Sequence, residues 1–274
     1  MSQRLHELLD KALTVPGVLQ LRMKRFDAAF SKGEYGGFCR GTYRTYGEAA
    51  EAAPPTLPLG YDNKNAAAMY RDRINRVWPS DYASMLWLEK IFRAGATKVL
   101  DLGGHVGVSY YAYQKYIAYP PELAWQVVDV PAVAAAGREI ALERDTLRCL
   151  SFVDDFGAAA DAELLFTSGC LQYLEQTLAD MLAPLKRRPH WVLVNLLPLH
   201  DSHEYWTVQS IGQAMCPYRI QRKSTFLADL ERLGYEVVDS WDNAEKRCEV
   251  AFSPENTVEG YFGAVLRLKQ AISH

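Results

Sequence analysis

Val99-Leu100-Asp101-Leu102-Gly103-Gly104-His105-Val106-Gly107 decides the fold class of this chain. A short β-rich run, Lys98–Leu102, carries an acid near its end and passes into a glycine-rich turn, and Ser109–Ile117 beyond it can form a helix. Glycine at such a turn lets the backbone take positive φ and approach a ligand closely. The amides at the start of the following helix attract an anionic group. A second run, Trp125-Gln126-Val127-Val128-Asp129, again ends in an acid, 28 positions after Asp101. A carboxylate in that position can accept hydrogen bonds from both hydroxyls of a ribose. Together the two segments describe a nucleoside-containing ligand lying across the carboxyl ends of neighbouring strands.

The glycine spacing argues against a nicotinamide dinucleotide. G-x-G-x-x-G is absent; Gly103, Gly104 and Gly107 stand as G-G-x-x-G, with Asp101 two residues upstream. A carboxylate there would repel a pyrophosphate and attract a cationic group such as the ammonium of S-adenosylmethionine.

Outward from this centre the pattern repeats as strand, turn and helix. Pro131 suits a helix start, and Leu147–Val153, Glu163–Thr167 and Trp191–Leu197 are further apolar runs, with a helical stretch near Leu178–Leu185. Short apolar runs without alternation, each followed by a crossover helix, are what buried parallel strands look like. The expectation is a doubly wound α/β sheet starting near residue 95. Toward the carboxyl end, Ser224–Leu233 reads as a helix stopped by Gly234, and Tyr235–Trp241 and Tyr261–Leu268 read as two closing strands with no helix between them, hence an antiparallel pair.

The first ninety residues have another texture. Leu5, Leu8, Leu9, Ala12 and Leu13 share one helical face, Pro16-Gly17 breaks that helix, and Leu19, Met23, Phe26 and Phe30 form a second stripe. These helices are expected to pack on the main domain; a homodimer contact or a membrane surface is the alternative use. Residues 33–61, rich in Gly, Pro and Tyr, read as loop. Pro79-Ser80 opens a helix through Phe92, with Ser80 as its cap and Asp81 near the positive end of its dipole. The division expected is a helical and Tyr/Gly-rich lid over 1–94 and an α/β domain over 95–274.

Composition bounds the function. With 49% hydrophobic and 23% charged residues among 274, the chain is an ordinary globular one. Lys plus Arg number 30 against 33 Asp plus Glu, so no overall basic surface calls for nucleic acid. No uncharged run approaches the roughly 20 apolar residues of a membrane span, and the charged opening MSQRLHELLDK lacks the apolar stretch of a signal peptide, which points to the cytoplasm. Cys39, Cys149, Cys170, Cys216 and Cys248 include no C-x-x-C pair and read as free thiols, not as a zinc site or a disulfide framework.

VLDLGGHVG, with Asp129 after the next run, resembles the first motifs of class I S-adenosylmethionine-dependent methyltransferases; His105 stands where many members have the middle glycine. The resemblance implies a Rossmann-like seven-stranded sheet with a closing antiparallel pair, and S-adenosylmethionine as cofactor. It implies a cofactor site made of Asp101, Gly103, Gly104, His105, Gly107, Asp129 and Val130, continued by the third-strand loop Asp154, Asp155 and Phe156 and by Ser168 after the fourth strand. Asp155 is the choice for the adenine amino group, with Asp154 as the alternative. Gly60-Tyr61-Asp62, SGCLQYLE, LVNLLPLHD, Val208-Gln209 and Cys216-Pro217-Tyr218 extend the similarity to a family of inferred methyltransferases, many of them encoded among bacterial surface-polysaccharide genes. That similarity covers roughly residues 30–268. Its implication is a small-molecule methyl acceptor, such as a glycan precursor or a secondary metabolite, methylated at oxygen or nitrogen. Tyr61, Tyr173 and Gln209 are the substrate-contact candidates.

The proton acceptor is less well marked. Plant-type O-methyltransferases place a histidine after the fourth strand, where this chain has Gln172, which can orient a group but cannot serve as a base near neutral pH. Leu199-His200-Asp201-Ser202-His203-Glu204 interleaves two imidazoles with two carboxylates, so His200 and His203 are the candidate bases; a solvated polar loop is the alternative reading. The same spacing is no metal motif, and no metal is assigned. The missing histidine also leaves room for an inactive binding or scaffold protein on the same fold. Asp129, at a strand's open end, is expected to matter for cofactor binding and little for fold stability.

Overall fold

The computed structural model describes residues 15–62 and 73–269. The stripe expected over Leu5–Leu13 lies outside them.

Seven strands form the main sheet: β2 (Lys98–Leu102), β3 (Ala124–Val128), β4 (Leu150–Val153), β5 (Leu164–Ser168), β6 (Trp191–His200), β9 (Tyr235–Asn243) and β11 (Tyr261–Leu268). Their spatial order is β4-β3-β2-β5-β6-β11-β9, with parallel pairing from β4 through β6 and β11 antiparallel to both β6 and β9. This strand order, with its parallel run closed by an antiparallel pair, makes a Rossmann-like, methyltransferase-type sheet. The order reverses at β2/β5, so ligands are expected beyond the carboxyl ends of β2 and its neighbours.

Helices α3 (Tyr82–Arg93), α4 (Val108–Tyr113), α5 (Pro131–Arg144), α6 (Leu178–Leu182) and α7 (Lys223–Arg232) connect or flank these strands. One core, with Leu88, Tyr110, Trp125 and Phe166, fills one face of the sheet; another, with Leu100, Leu165, Phe226 and Leu230, fills the other. The strand centres carry Val, Leu and Phe on both sides because both faces are covered.

Three local expectations are corrected. The helix after the glycine turn stops at Tyr113. Ser80 does not cap α3: a 3₁₀ turn, Pro79–Asp81, precedes it, and Asp81 accepts the Trp78 N–H at 2.7 Å. The stretch 33–61 is not all loop, since it holds β1 (Cys39–Tyr43) and α2 (Tyr46–Ala52), whose Thr45 cap accepts the Glu48 N–H.

A second, smaller sheet branches from the far end of β6. Leu199 and His200 pair in parallel with β8 (Met215–Arg222), which pairs with β7 (Tyr205–Ser210). Strand β1 pairs antiparallel with β7 and parallel with β10 (Val250–Ala251), so residues from both sides of position 94 share one sheet. Helix α1 (Pro16–Phe30) lies against this sheet as its stripe foretells: Phe30 is buried and Phe26 meets Tyr35, Phe38 and Phe252, while Val15, Val18 and Leu21 are exposed.

Candidate functional site

A cavity of about 650 Å³ opens at the carboxyl ends of β2, β3 and β5, within the range typical of small-molecule sites. Its inner half is built by the turn after β2. Gly103 has φ +73°, and a Cβ there would collide with Cys170; a Cβ at Gly104 would collide with the Asp101 carboxylate. His105 also takes a left-handed φ of 55°, the conformation that glycine gives other chains without strain. The His105 backbone N–H donates to Asp129 Oδ2 at 2.9 Å, while the Val130 N–H donates to Asp129 Oδ1 at 2.8 Å.

Two acids therefore sit close together at the inner end. Asp101 is only 1% exposed, and its carboxylate accepts the Trp125 indole N–H at 3.0 Å. Burial pushes its pKa up to about 7, with the charge of Asp129 adding to the effect, and burial pushes Asp129 up to about 6. None of the salt bridges among the described residues involves either acid. Such a pair is stabilised by a cationic ligand group and opposes an anionic one.

The cavity brings together Asp101, Gly103, Gly104, His105, Asp129, Val130 and Ser168 from the expected cofactor set, and Tyr61 and Tyr173 from the expected substrate set. Gln209 stands behind Tyr173, accepting its hydroxyl hydrogen at 2.6 Å, and the Tyr61 ring meets the edge of Tyr173 at 4.9 Å. Gly107 supports the turn from outside the lining, with φ +87° and Leu150 packed close.

Other expected residues are placed elsewhere. Asp154 pairs with Arg138 at 2.6 Å on the surface, and Asp155 accepts the Gly157 N–H as the cap of a 3₁₀ turn that begins at Phe156. All three stand past the end of β4, beside Asp129 but outside the cavity lining. Gln172 is buried: its Nε2 donates to Leu196 O at 3.4 Å, and its Oε1 has no partner among the described residues.

His200 and His203 do not reach the cavity. His200 Nδ1 accepts the Ser202 N–H at 3.2 Å, so its Nε2 is the donor to Glu255 O, and His203 Nε2 bonds Asn256 Oδ1 at 2.7 Å. Glu204 is engaged by Arg219 at 2.6 Å. The polar loop is thus a brace between the end of β6 and the 3₁₀ turn Pro254–Asn256. No group of three or more His, Cys, Asp or Glu among the described residues is placed to hold a metal ion.

Sequence reading missed the outer half of the site. Arg73, Arg76, Trp78 and Asp81 enter from the segment before α3, and Lys246 from the turn after β9. Asp81 is held by Trp78 and by the Tyr113 hydroxyl, and burial raises its pKa against the lowering pull of Arg73 and Lys246. These residues carry no motif; they meet only through the tertiary fold.

Asn195 was missed too. The register of β6 against β11 shifts between Leu197 and Val194, and Leu196 takes a φ of 53°, which makes a bulge. At that bulge Asn195 Nδ2 donates to Ser80 O and Ser168 Oγ, and its Oδ1 accepts from Trp241 Nε1 and Asn243 Nδ2. One buried amide thereby ties the start of α3, the end of β5 and β9 together.

No known family profile matches the chain, and no curated protein matches it. Solved structures do. The methyltransferase CcbJ from Streptomyces caelestis is 16% identical, with 73% of this chain and 96% of that one covered and a TM-score of 0.45. The glycopeptide N-methyltransferase MtfA, complexed with S-adenosyl-L-homocysteine, is 13% identical over 76% and 99% of the two chains, TM-score 0.49. The 1,6-didemethyltoxoflavin-N1-methyltransferase of Burkholderia thailandensis is 15% identical over 71% and 92%, TM-score 0.42.

Proposed function

We propose that the chain is an S-adenosylmethionine-dependent methyltransferase acting on oxygen, or nitrogen, of a small molecule. The observation that carries this reading is the buried pair Asp101 and Asp129, with raised pKa values, facing one cavity across a turn in which Gly103 and Gly104 leave no room for a side chain. A nucleoside with a cationic tail fits that arrangement and a dinucleotide does not. When bound, the cofactor supplies an electrophilic methyl carbon.

The chain's own residues do the rest. Asp129 retains lone pairs beyond those given to His105 and Val130, enough to receive the ribose hydroxyls. Asp101 balances positive charge on the ligand. Ser168, fixed by Asn195, and Tyr173, fixed by Gln209, form the wall between cofactor and acceptor. Their contribution is orientation, which can supply roughly 7–11 kcal/mol in a two-reactant displacement. With both histidines outside the cavity, the lining carboxylate Asp81 becomes our candidate to take a proton from the acceptor. Glycan precursors and secondary metabolites remain the acceptor classes this reading favours.

Calorimetry with S-adenosylhomocysteine and with NADH decides the ligand class: binding of the first and not the second is expected, and the reverse would overturn the reading. Incubation with labelled cofactor and extracts of the host separates an enzyme from a binding protein. Label entering a small-molecule fraction is the enzyme's result, whereas tight cofactor binding with no transfer would favour the binding protein.

A further inference from the structure

We infer that the chain carries a second ligand site, for a small molecule bearing a phosphate or diphosphate group, at the end of the main sheet opposite the first cavity. This does not depend on the methyltransferase reading. A cavity of about 660 Å³ lies where β2, β5 and β6 begin and β11 ends. Ala96 leads into β2 and Glu163 into β5, while Trp191 opens β6 and Leu268 closes β11. Because β2, β5 and β6 run parallel, this is the end away from Gly103 and Ser168, which line the first cavity. No residue lines both cavities. The volume is in the range of small-molecule sites.

Lys186, Arg187, Arg188 and His190, from the run between α6 and β6, supply its charged wall. That run is firmly pinned. Arg188 donates to Leu182 O at 3.3 Å and to Leu233 O at 3.2 Å. The Tyr235 hydroxyl donates to Pro189 O at 2.7 Å, and the Leu268 N–H to His190 O at 2.8 Å. The partners of Arg188 are neutral carbonyls, so its charge stays unanswered. Lys186 and Arg187 are exposed, and neither joins a salt bridge among the described residues.

Glu163, the acid in this lining, is already engaged. Its Oε2 accepts the Thr97 N–H at 2.7 Å and the Lys98 N–H at 3.1 Å, and these bonds with the Lys98 charge hold its carboxyl below the usual range. His190 is pushed toward its neutral form by burial and by Arg267. Three cations on consecutive residues suit an anion of more than one charge, and a guanidinium fork matches phosphate oxygens. Beside them Ala94, Gly95, Ala96 and Ala162 leave space, and Trp191 offers an aromatic surface for the organic remainder.

The test uses the full chain at physiological ionic strength, where loose surface attraction is screened. Calorimetry titrates inorganic pyrophosphate, citrate and a hexaglutamate peptide into the parent and into the double variant Lys186→Gln, Arg187→Gln. Pyrophosphate is expected to bind with Kd below about 1 mM and more tightly than the other two. The double variant should weaken it about tenfold or more, since charge-assisted contacts are the stronger kind. The His190 ring reports locally: with pyrophosphate bound it should titrate at higher pH, followed by its C2–H resonance, which His190→Gln assigns.

Failure of pyrophosphate to bind would overturn the inference, as would equal binding by the double variant or an unmoved His190 titration. Citrate binding as tightly as pyrophosphate would overturn the assignment to phosphate. Tighter binding of the peptide would make this run a docking surface for an acidic protein segment and overturn it too. Melting curves check that the double variant folds; if it does not, parent binding and the His190 titration still decide.

Discussion

Asp129 does two jobs with one carboxylate. Its oxygens hold the backbone of the turn through His105 and Val130, so the expectation that it matters little to stability needs revision. Asp129→Ala should lower cofactor affinity at least tenfold and lower Tm as well, because each lost bond to a charged acceptor is worth about 1.5–3 kcal/mol. Asp129→Asn keeps one acceptor oxygen and should recover part of the Tm but less of the affinity; calorimetry and melting curves read the two effects apart. Asp101 gives a pH signature. Its folded pKa of about 7 lies above its unfolded value, so between roughly pH 4 and 7 the folded chain keeps a proton that the unfolded chain releases. Stability from this group is therefore full below about pH 4, declines as pH rises to about 7, and is flat above. Asp101→Asn should be more stable than the parent at pH 8, by an amount that shrinks toward pH 5, while binding the cofactor more weakly. Cofactor affinity of the parent should rise from pH 5.5 to 8 as both acids ionise; a flat profile would separate these acids from the ligand's charge.

At the scale of elements, the sheet was legible because its strands are buried on both faces and so stand out as apolar runs, and because an acid ends both Leu100-Asp101 and Val128-Asp129. The closing pair was legible because no helical pattern separates Trp241 from Tyr261. What escaped notice depends on contacts distant in sequence. Strand β1, CRGTY, is short and half-polar, and it is a strand only because β7 and β10 supply its partners. The two histidines beside carboxylates had the right chemistry for a base, but β6 runs on to His200 and carries them past the cavity. The bulge in β6 had no sequence signal, yet it sets the inner wall. Asn195→Leu should cost on the order of 1–3 kcal/mol, since it leaves the half-buried Trp241 indole N–H without its acceptor and removes one of the two acceptors of the Asn243 amide. It should also loosen Ser168, so that turnover falls more than cofactor affinity, once an acceptor is in hand to measure it.

For the whole molecule, strand β1 from before residue 94 and the strands after it form one sheet system. A chain beginning at residue 95 would lose β1 and expose the edge of β7, and unpaired edges invite association. It should be insoluble or aggregate on size-exclusion chromatography; a monodisperse, cooperatively melting product would show that 95–274 stands alone. Strand β1 also carries a cost in time. Cys39 on β1 packs against Cys248, 209 positions later in the chain, and its other partner strand, β7, likewise comes late. At the usual ~5–20 residues per second of synthesis, β1 leaves the ribosome on the order of 10–40 s before that neighbour exists. During that interval an early strand has no native mate, so the yield of active protein in cells should depend on elongation rate and on chaperone supply more than its final stability would suggest.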